Sequence, residues 1–153
     1  MAVITEIWRG RLVRYAPIIL WIGVIFYLSS DNGSLTETSR FIGPLLHFLF
    51  PTAPEESIQA YHAVIRKSAH FFEYAVLALL VFRAMVLANI DGGLRFVAPI
   101  AVAAVVATLD ELNQSFEVTR SGSPWDVALD ISGAVTMVIV LALAARLMSR
   151  DAS

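Results

Sequence analysis

With 153 residues, 58% of them hydrophobic, and a mean hydropathy of +0.71, the chain carries more apolar surface than a soluble core of this size can use. Charged residues make up only 16%, the formal net charge is −2, and no basic stripe interleaves with aromatics, which argues against nucleic acid as a partner. Cysteine is absent, so disulfides, thiolate zinc sites and a cysteine nucleophile are excluded, and the length fits one domain over 1–153.

The first apolar segment runs from about Tyr15 to Ser30. Arg9, Arg11 and Arg14 precede it as they would a secretory signal, but it ends in Ser-Ser-Asp-Asn rather than at a small-x-small cleavage site, and it reads as a retained helix. A region of about 40 residues follows, in which "FIGPLLHFLF" is too short to span a bilayer and reads as an interfacial or re-entrant piece. Pro54 with Glu55 and Glu56 is a helix start, and one helix is expected to run from there into a second span from near His70 to near Asn89.

Asp91-Gly92-Gly93 makes a tight turn into the third span, roughly Leu94 to Leu112, so these two helices should be antiparallel neighbours. After "NQSFEVTRSGSPW" the fourth span covers about Asp126 to Met148, with Pro124 just ahead of it. The fold class is therefore all-α: a membrane bundle of four transmembrane helices, plus a short interfacial or re-entrant helix between the first and second. Arg9, Arg11, Arg14, Arg83, Arg95, Arg146 and Arg150 fall on one side, and Arg40, Arg66, Lys67 and Arg120 on the other. That bias places both termini in the cytoplasm. Arg83, inside the second span near its cytoplasmic end, reads as snorkelling to the interface.

Three polar clusters fall at the opposite, outer ends of three helices: "RKSAHFFEY", "DELNQSFEVTR" and "DVALDISG". Hydrocarbon penalises ionisable residues, so several of them at shared depth make a site hypothesis. At about 100° per residue, Lys67, His70 and Tyr74 share a helix face, with Glu73 rotated a further ~60°. Asp110, Gln114 and Glu117 align on the next helix while Glu111 turns away from them. Asp126, Asp130 and Gly133 form a stripe on the last, where glycine permits close approach of a neighbour.

Structural readings stand beside these. Arg66 and Lys67 suit headgroup anchoring, Asp126 suits a helix N-terminus, and Glu117 suits a solvated loop. Asp110 and Asp130 lie deeper and are harder to explain that way. His70 with Glu73 three residues on is a candidate metal pair or proton relay. Ser29 and Ser30 either close the cluster from the first helix or simply mark its exit. Trp8, Tyr27 and Trp125 suit membrane interfaces, whereas Trp21 lies mid-span and packs.

The set formed by Ser29-Ser30, "RKSAHFFEY", "DELNQSF", Arg120, and Asp126 with Gly133 resembles the VanZ-like family over roughly residues 12–146. The resemblance implies a small helical protein of the bacterial inner membrane, with a founding member linked to low-level resistance to the glycopeptide teicoplanin and no agreed biochemical activity. It carries the family's polar positions onto Lys67, His70, Glu73, Tyr74, Asp110, Glu111, Gln114, Arg120 and Asp126. Asp130 departs from it, since the family pattern shows an uncharged polar residue such as Asn there.

Two functions follow as expectations. In the first, the protein binds an amphiphile, a lipid-linked cell-wall precursor or a glycopeptide near the outer leaflet, with Arg66, Lys67 and Arg120 receiving phosphate or carboxylate. In the second, it is an enzyme acting on a lipid phosphate or glycolipid headgroup, with His70, Glu73 and Asp110 as candidate catalytic groups. No cofactor is expected, although a divalent metal on Asp110, Glu111, Asp126 or Asp130 would serve that chemistry. Proton translocation is a third reading, and a polar network that only holds the bundle together is a fourth. Membrane lipids are partners in every case, and the oligomeric state is left open.

Overall fold

A computed structural model describes the backbone of residues 2–30, 35–115 and 123–150, and the side chains of 10–30, 42–115 and 123–148. Five helices follow in order: α1 (Ala2–Ser29), α2 (Leu35–Leu49), α3 (Glu55–Leu87), α4 (Leu94–Ser115) and α5 (Pro124–Arg150). Four of them, α1, α3, α4 and α5, are long and apolar enough to cross a membrane, and together they form an all-helical bundle. The expected single helix from Glu55 into the second span is present as α3, and α2 extends well ahead of "FIGPLLHFLF".

Charge sets the positions of the spans along each helix. On α3, Lys67 and the helix end at Leu87, just past Arg83, are about 20 residues apart, which is ~30 Å along a helix axis and matches the hydrocarbon thickness. On α5, Asp126 and Arg146 are separated by the same interval. The bundle therefore has two polar belts. One carries Arg14, Arg83, Arg95 and Arg146; the other carries Lys67, His70, Gln114, Asp126 and Asp130.

Between the belts the core is built largely from small residues, with Ala78, Ala103, Ala107 and Ala134 packed around Ile25, Tyr74, Leu77 and Val81. Without a hydrophobic drive inside lipid, such residues let helices approach closely enough for dispersion contacts. Gly133 is the extreme case: a Cβ there would lie 2.1 Å from the Phe71 carbonyl oxygen, so α5 rests directly on the α3 backbone. Helix α3 touches all four other helices, and its most extensive contact is with α5.

The connection from α3 to α4 is a tight turn in which Asn89 and Gly92 take positive φ values of 53° and 77°, conformations that Asn and Gly accept most readily. At that end Arg14 donates to the Leu87 carbonyl (2.6 Å) and Arg83 to the Val13 carbonyl (3.2 Å), so two arginines clasp α1 to α3. Arg83 thus has a bonded partner in addition to its place at the interface. Trp21 packs against the core as expected and also donates its indole N–H to the Glu73 carbonyl at 2.9 Å. A helical carbonyl keeps a second lone pair free for such a bond.

Helix α2 packs on the part of α3 that precedes the apolar span. Phe50 and Tyr61 stack at 5.1 Å, His47 lies 3.7 Å from Glu55, and Leu46 and Ile58 are buried.

Candidate functional site

The outer belt gathers side chains from α3, α4 and α5 around one small cavity. Arg66, Lys67 and His70 come from α3, Glu111 and Gln114 from α4, and Asp126 and Asp130, with Leu129 between them, from α5. Its volume of about 20 Å³ leaves room for one water-sized group. Two contacts cross from α3 to α5: the Lys67 ammonium Nζ lies 3.4 Å from Asp126 Oδ1, and the His70 imidazole Nδ1 lies 3.6 Å from Asp130 Oδ1.

Helix geometry explains that pairing. Lys67 and His70 are one turn apart on α3, Asp126 and Asp130 are one turn apart on α5, and the Gly133 contact holds the two axes close enough for the turns to face each other. The pairs differ in their surroundings. Lys67 and Asp126 have side chains 56% and 33% exposed and sit at the mouth, while Asp130 is 2% exposed and forms the floor. Asp126 also lies in the first turn of α5, where a carboxylate complements the positive end of the helix dipole.

On α4, Asp110 is buried and accepts a hydrogen bond from Gln114 Nε2 at 3.0 Å. The same amide group donates to Ser29 Oγ, which brings the buried end of α1 into the network. Ser30 instead donates to the Tyr27 carbonyl, as a helix exit requires. Glu111 accepts the backbone N–H of Ser123 and so ties α4 to the start of α5 while lining the cavity. Glu73, Asp110, Glu111 and Asp126 all lie within Coulomb range of Asp130, so the site concentrates carboxyl groups behind Arg66 and Lys67.

Of the sequence-derived site residues, Lys67, His70, Glu111, Gln114, Asp126 and Asp130 meet at the cavity wall, and Asp110 joins through Gln114. Tyr74 and Glu73 are placed differently. Tyr74 shares an azimuth with Lys67 but starts ~10 Å further along α3; its side chain is fully buried in the core cluster, within Coulomb range of Asp110 and Asp130. Its hydroxyl has no hydrogen-bond partner among the described residues. Glu73 is half-buried and away from the cavity wall. Arg120, Glu117 and Asp31 lie outside the described residues, as do the side chains of Trp8 and Arg40.

Among the described residues, no three His, Asp or Glu side chains converge as a metal-ligand set. Asp110, Glu111, Asp126 and Asp130 ring the site but turn to different partners.

Sequence reasoning passed over a second constellation. Glu55, Gln59, His62 and Arg66 recur at i, i+4, i+7 and i+11 on α3 and line a cavity of about 610 Å³ against Gly43, Pro44 and His47 of α2. Their spacing was a readable signal, but the α2 wall opposite them was not.

A family model described as VanZ/LLP1 matches residues 15–145. The chain belongs to this family. It is accordingly a multi-pass membrane protein of VanZ/LLP1 type, and the match spans all four long helices together with the residues of the outer belt. No curated protein and no solved structure matches the chain.

Proposed function

We propose that this VanZ/LLP1 protein sits in the bacterial inner membrane with both termini in the cytoplasm, and binds an anionic amphiphile at the outer-leaflet face of the bundle. The occupant is a membrane lipid phosphate or a lipid-linked cell-wall precursor, and a glycopeptide competes for the same face. Occupancy would then alter glycopeptide susceptibility, teicoplanin included. Orientation rests on the arginine excess at the belt of Arg14, Arg83, Arg95 and Arg146.

The observation that carries the reading is the layering of charge at the cavity. Lys67, half-exposed at the mouth beside Arg66, is available to an anion arriving from the headgroup layer, while Asp126 and Asp130 hold the Lys67 ammonium and the His70 imidazole in register from within. Gln114, Glu111 and the Asp110 carboxylate fix the inner wall, and Arg120 belongs to the same binding set by its place in the sequence. Tyr74 and Glu73 act from behind, through the α3 backbone that presents Lys67 and His70.

The test is native mass spectrometry of the detergent-purified protein with lipid extraction of the same sample. An anionic amphiphile should co-purify with the wild type and be lost from Lys67→Ala. Identical bound species in both proteins, or none in either, would refute the binding role.

A second reading, a lipid-headgroup hydrolase or transferase, is favoured by the contact between His70 and the buried Asp130 carboxylate. An imidazole beside an orienting acid is the arrangement a general base needs. Release of inorganic phosphate from lipid phosphates in nanodiscs, abolished by His70→Ala with binding retained, would move this reading to first place.

A further inference from the structure

Beside the polar cavity, α3 and α5 leave a second opening of about 290 Å³, lined by Val64, Ser68, Phe71 and Phe72 of α3, by Leu129 of α5, and by one charged residue, Lys67. Lys67 and Leu129 belong to both spaces, so the groove leads directly to the mouth of the cavity. The groove has a structural cause. At one end of it Gly133 brings α5 against the Phe71 backbone, and one turn earlier on α5 Leu129 stands in the glycine's place and lines the opening.

Its depth is marked independently. Trp125, 82% exposed at the start of α5, is the kind of ring that settles at the lipid–water boundary, and Leu129 lies one turn further into the membrane. Phe72, 64% exposed, faces outward at the groove's edge, where lipid surrounds the bundle.

From this we infer that the ligand of the outer site is a single-chain lipid phosphate that enters sideways from the bilayer, its chain lying between α3 and α5 and its phosphate on Lys67. The inference rests on the amphiphile reading above and deepens it. Charge complementarity selects this occupant: the groove is apolar along its length and ends on one ammonium group. Little transfer energy is gained when a chain leaves lipid for an apolar groove, because the two surroundings are alike. Lys67 therefore supplies affinity, and the groove supplies direction and selects narrow chains.

The larger α2–α3 cavity is the competing location. Glu55, Gln59, His62, Arg66 and His47 interrupt its otherwise apolar walls with polar and ionisable groups, and it lies beside the part of α3 that precedes the apolar span, so it suits an uninterrupted chain less well than the groove.

The experiment uses the full chain in nanodiscs with lysophosphatidic acid bearing a diazirine in mid-chain as the probe, and an uncharged monoacylglycerol of equal length as the control. Photolysis should label α3 and α5 peptides containing Phe71, Phe72 or Leu129. Retention of the probe in native spectra should fall about tenfold or more in Lys67→Ala and also in Ser68→Trp, which fills the groove without touching the charge. Val64→Trp blocks the same groove from another position and covers the case in which Ser68→Trp fails to fold, while the labelling pattern of the wild type needs no variant.

Labelling around Pro44 and Ile58, with binding that depends on Lys67 but survives both tryptophans, would overturn the groove and leave the anion site standing. Retention of lysophosphatidic acid no better than that of the uncharged control would overturn both.

Discussion

At one end of the bundle, Arg14 and Arg83 each hand a guanidinium proton to a backbone carbonyl of the neighbouring helix, and both bonds lie in exposed surroundings. At the other end, Asp110 and Asp130 are buried at 1% and 2% exposure, and three carboxylates, Glu111, Asp126 and Asp130, line a cavity with room for one water-sized group. The second belt carries more ionisable residues than the first, and only the first is arranged as cheaply as anchoring requires. An arginine at a lipid boundary costs little when its stem lies along apolar surface and its head finds carbonyls or water. A buried acid among other acids costs much more, so the second belt is the more expensive arrangement of the two.

The largest effect expected in this comparison comes from the contact that creates the polar end. Gly133→Val would drive its side chain into the Phe71 carbonyl, a backbone atom that cannot swing aside, so the penalty should reach the ~3 kcal/mol upper end of overpacking. The melting temperature of the purified protein should drop sharply, and Gly133→Ala should already show part of the fall. An unchanged melting temperature for both would mean that α3 and α5 do not meet there.

Next comes His70→Ala, which leaves the Asp130 carboxylate in place without the imidazole beside it. Removing one partner of a largely buried pair costs ~3 kcal/mol, reduced here because His70 keeps some exposure. The double variant His70→Ala/Asp130→Asn should recover most of that loss, giving a coupling above ~1 kcal/mol in a thermal double-mutant cycle. Strict additivity of the two substitutions would show that the pair contributes nothing.

How much of this was legible in the sequence follows from what each signal encodes. The four spans, the start of α3 at Glu55 and the turn at Gly92 were readable because they depend on local composition. Gly133 on the Asp126–Asp130 stripe announced a close neighbour, and Phe71 is that neighbour. Helical azimuth grouped Lys67, His70 and Tyr74 around the axis but said nothing of depth, and ~10 Å of axial rise puts Tyr74 in the core, behind the cavity wall and within Coulomb range of Asp110 and Asp130. The arginine clasp and the Trp21 bond were invisible because their acceptors are backbone carbonyls, which every residue carries. The α2–α3 cavity needed a tertiary contact that no periodicity within α3 could reveal. In a family match that spans the chain, VanZ/LLP1 membership was legible because its polar positions recur as a set on four helices.

A smaller effect is expected at the arginine end. Arg14→Ala and Arg83→Ala each remove one exposed hydrogen bond to a carbonyl, worth about 0.5–1.5 kcal/mol, and the double variant should destabilise by roughly the sum, because the bonds have separate acceptors. Lipid retention should be unchanged in both. A loss of bound amphiphile from Arg83→Ala with the fold intact would mean that the two belts are coupled through α3, and the contrast between anchoring and site would fail.

The smallest stability effect belongs to the residue on which the functional reading turns. Lys67 and Asp126 form a half-exposed ion pair, and such pairs contribute ~0–1 kcal/mol because solvent screens them and ordering two side chains costs entropy. Lys67→Ala should therefore melt within a few degrees of the wild type. Its effect on an anionic ligand should be far larger, since a charge-assisted hydrogen bond is worth ~1.5–3 kcal/mol, or about ten- to a hundredfold in affinity. Lys67→Arg keeps the charge and should restore part of the binding, although a planar fork replaces a compact ammonium. That divergence, with stability almost untouched and binding nearly abolished, is what separates a binding site from a network that only holds helices together. If Lys67→Ala instead destabilised the protein as much as His70→Ala while bound lipid stayed constant, Lys67 would be one more strut of the bundle, and the outer belt would differ from the arginine belt only in depth.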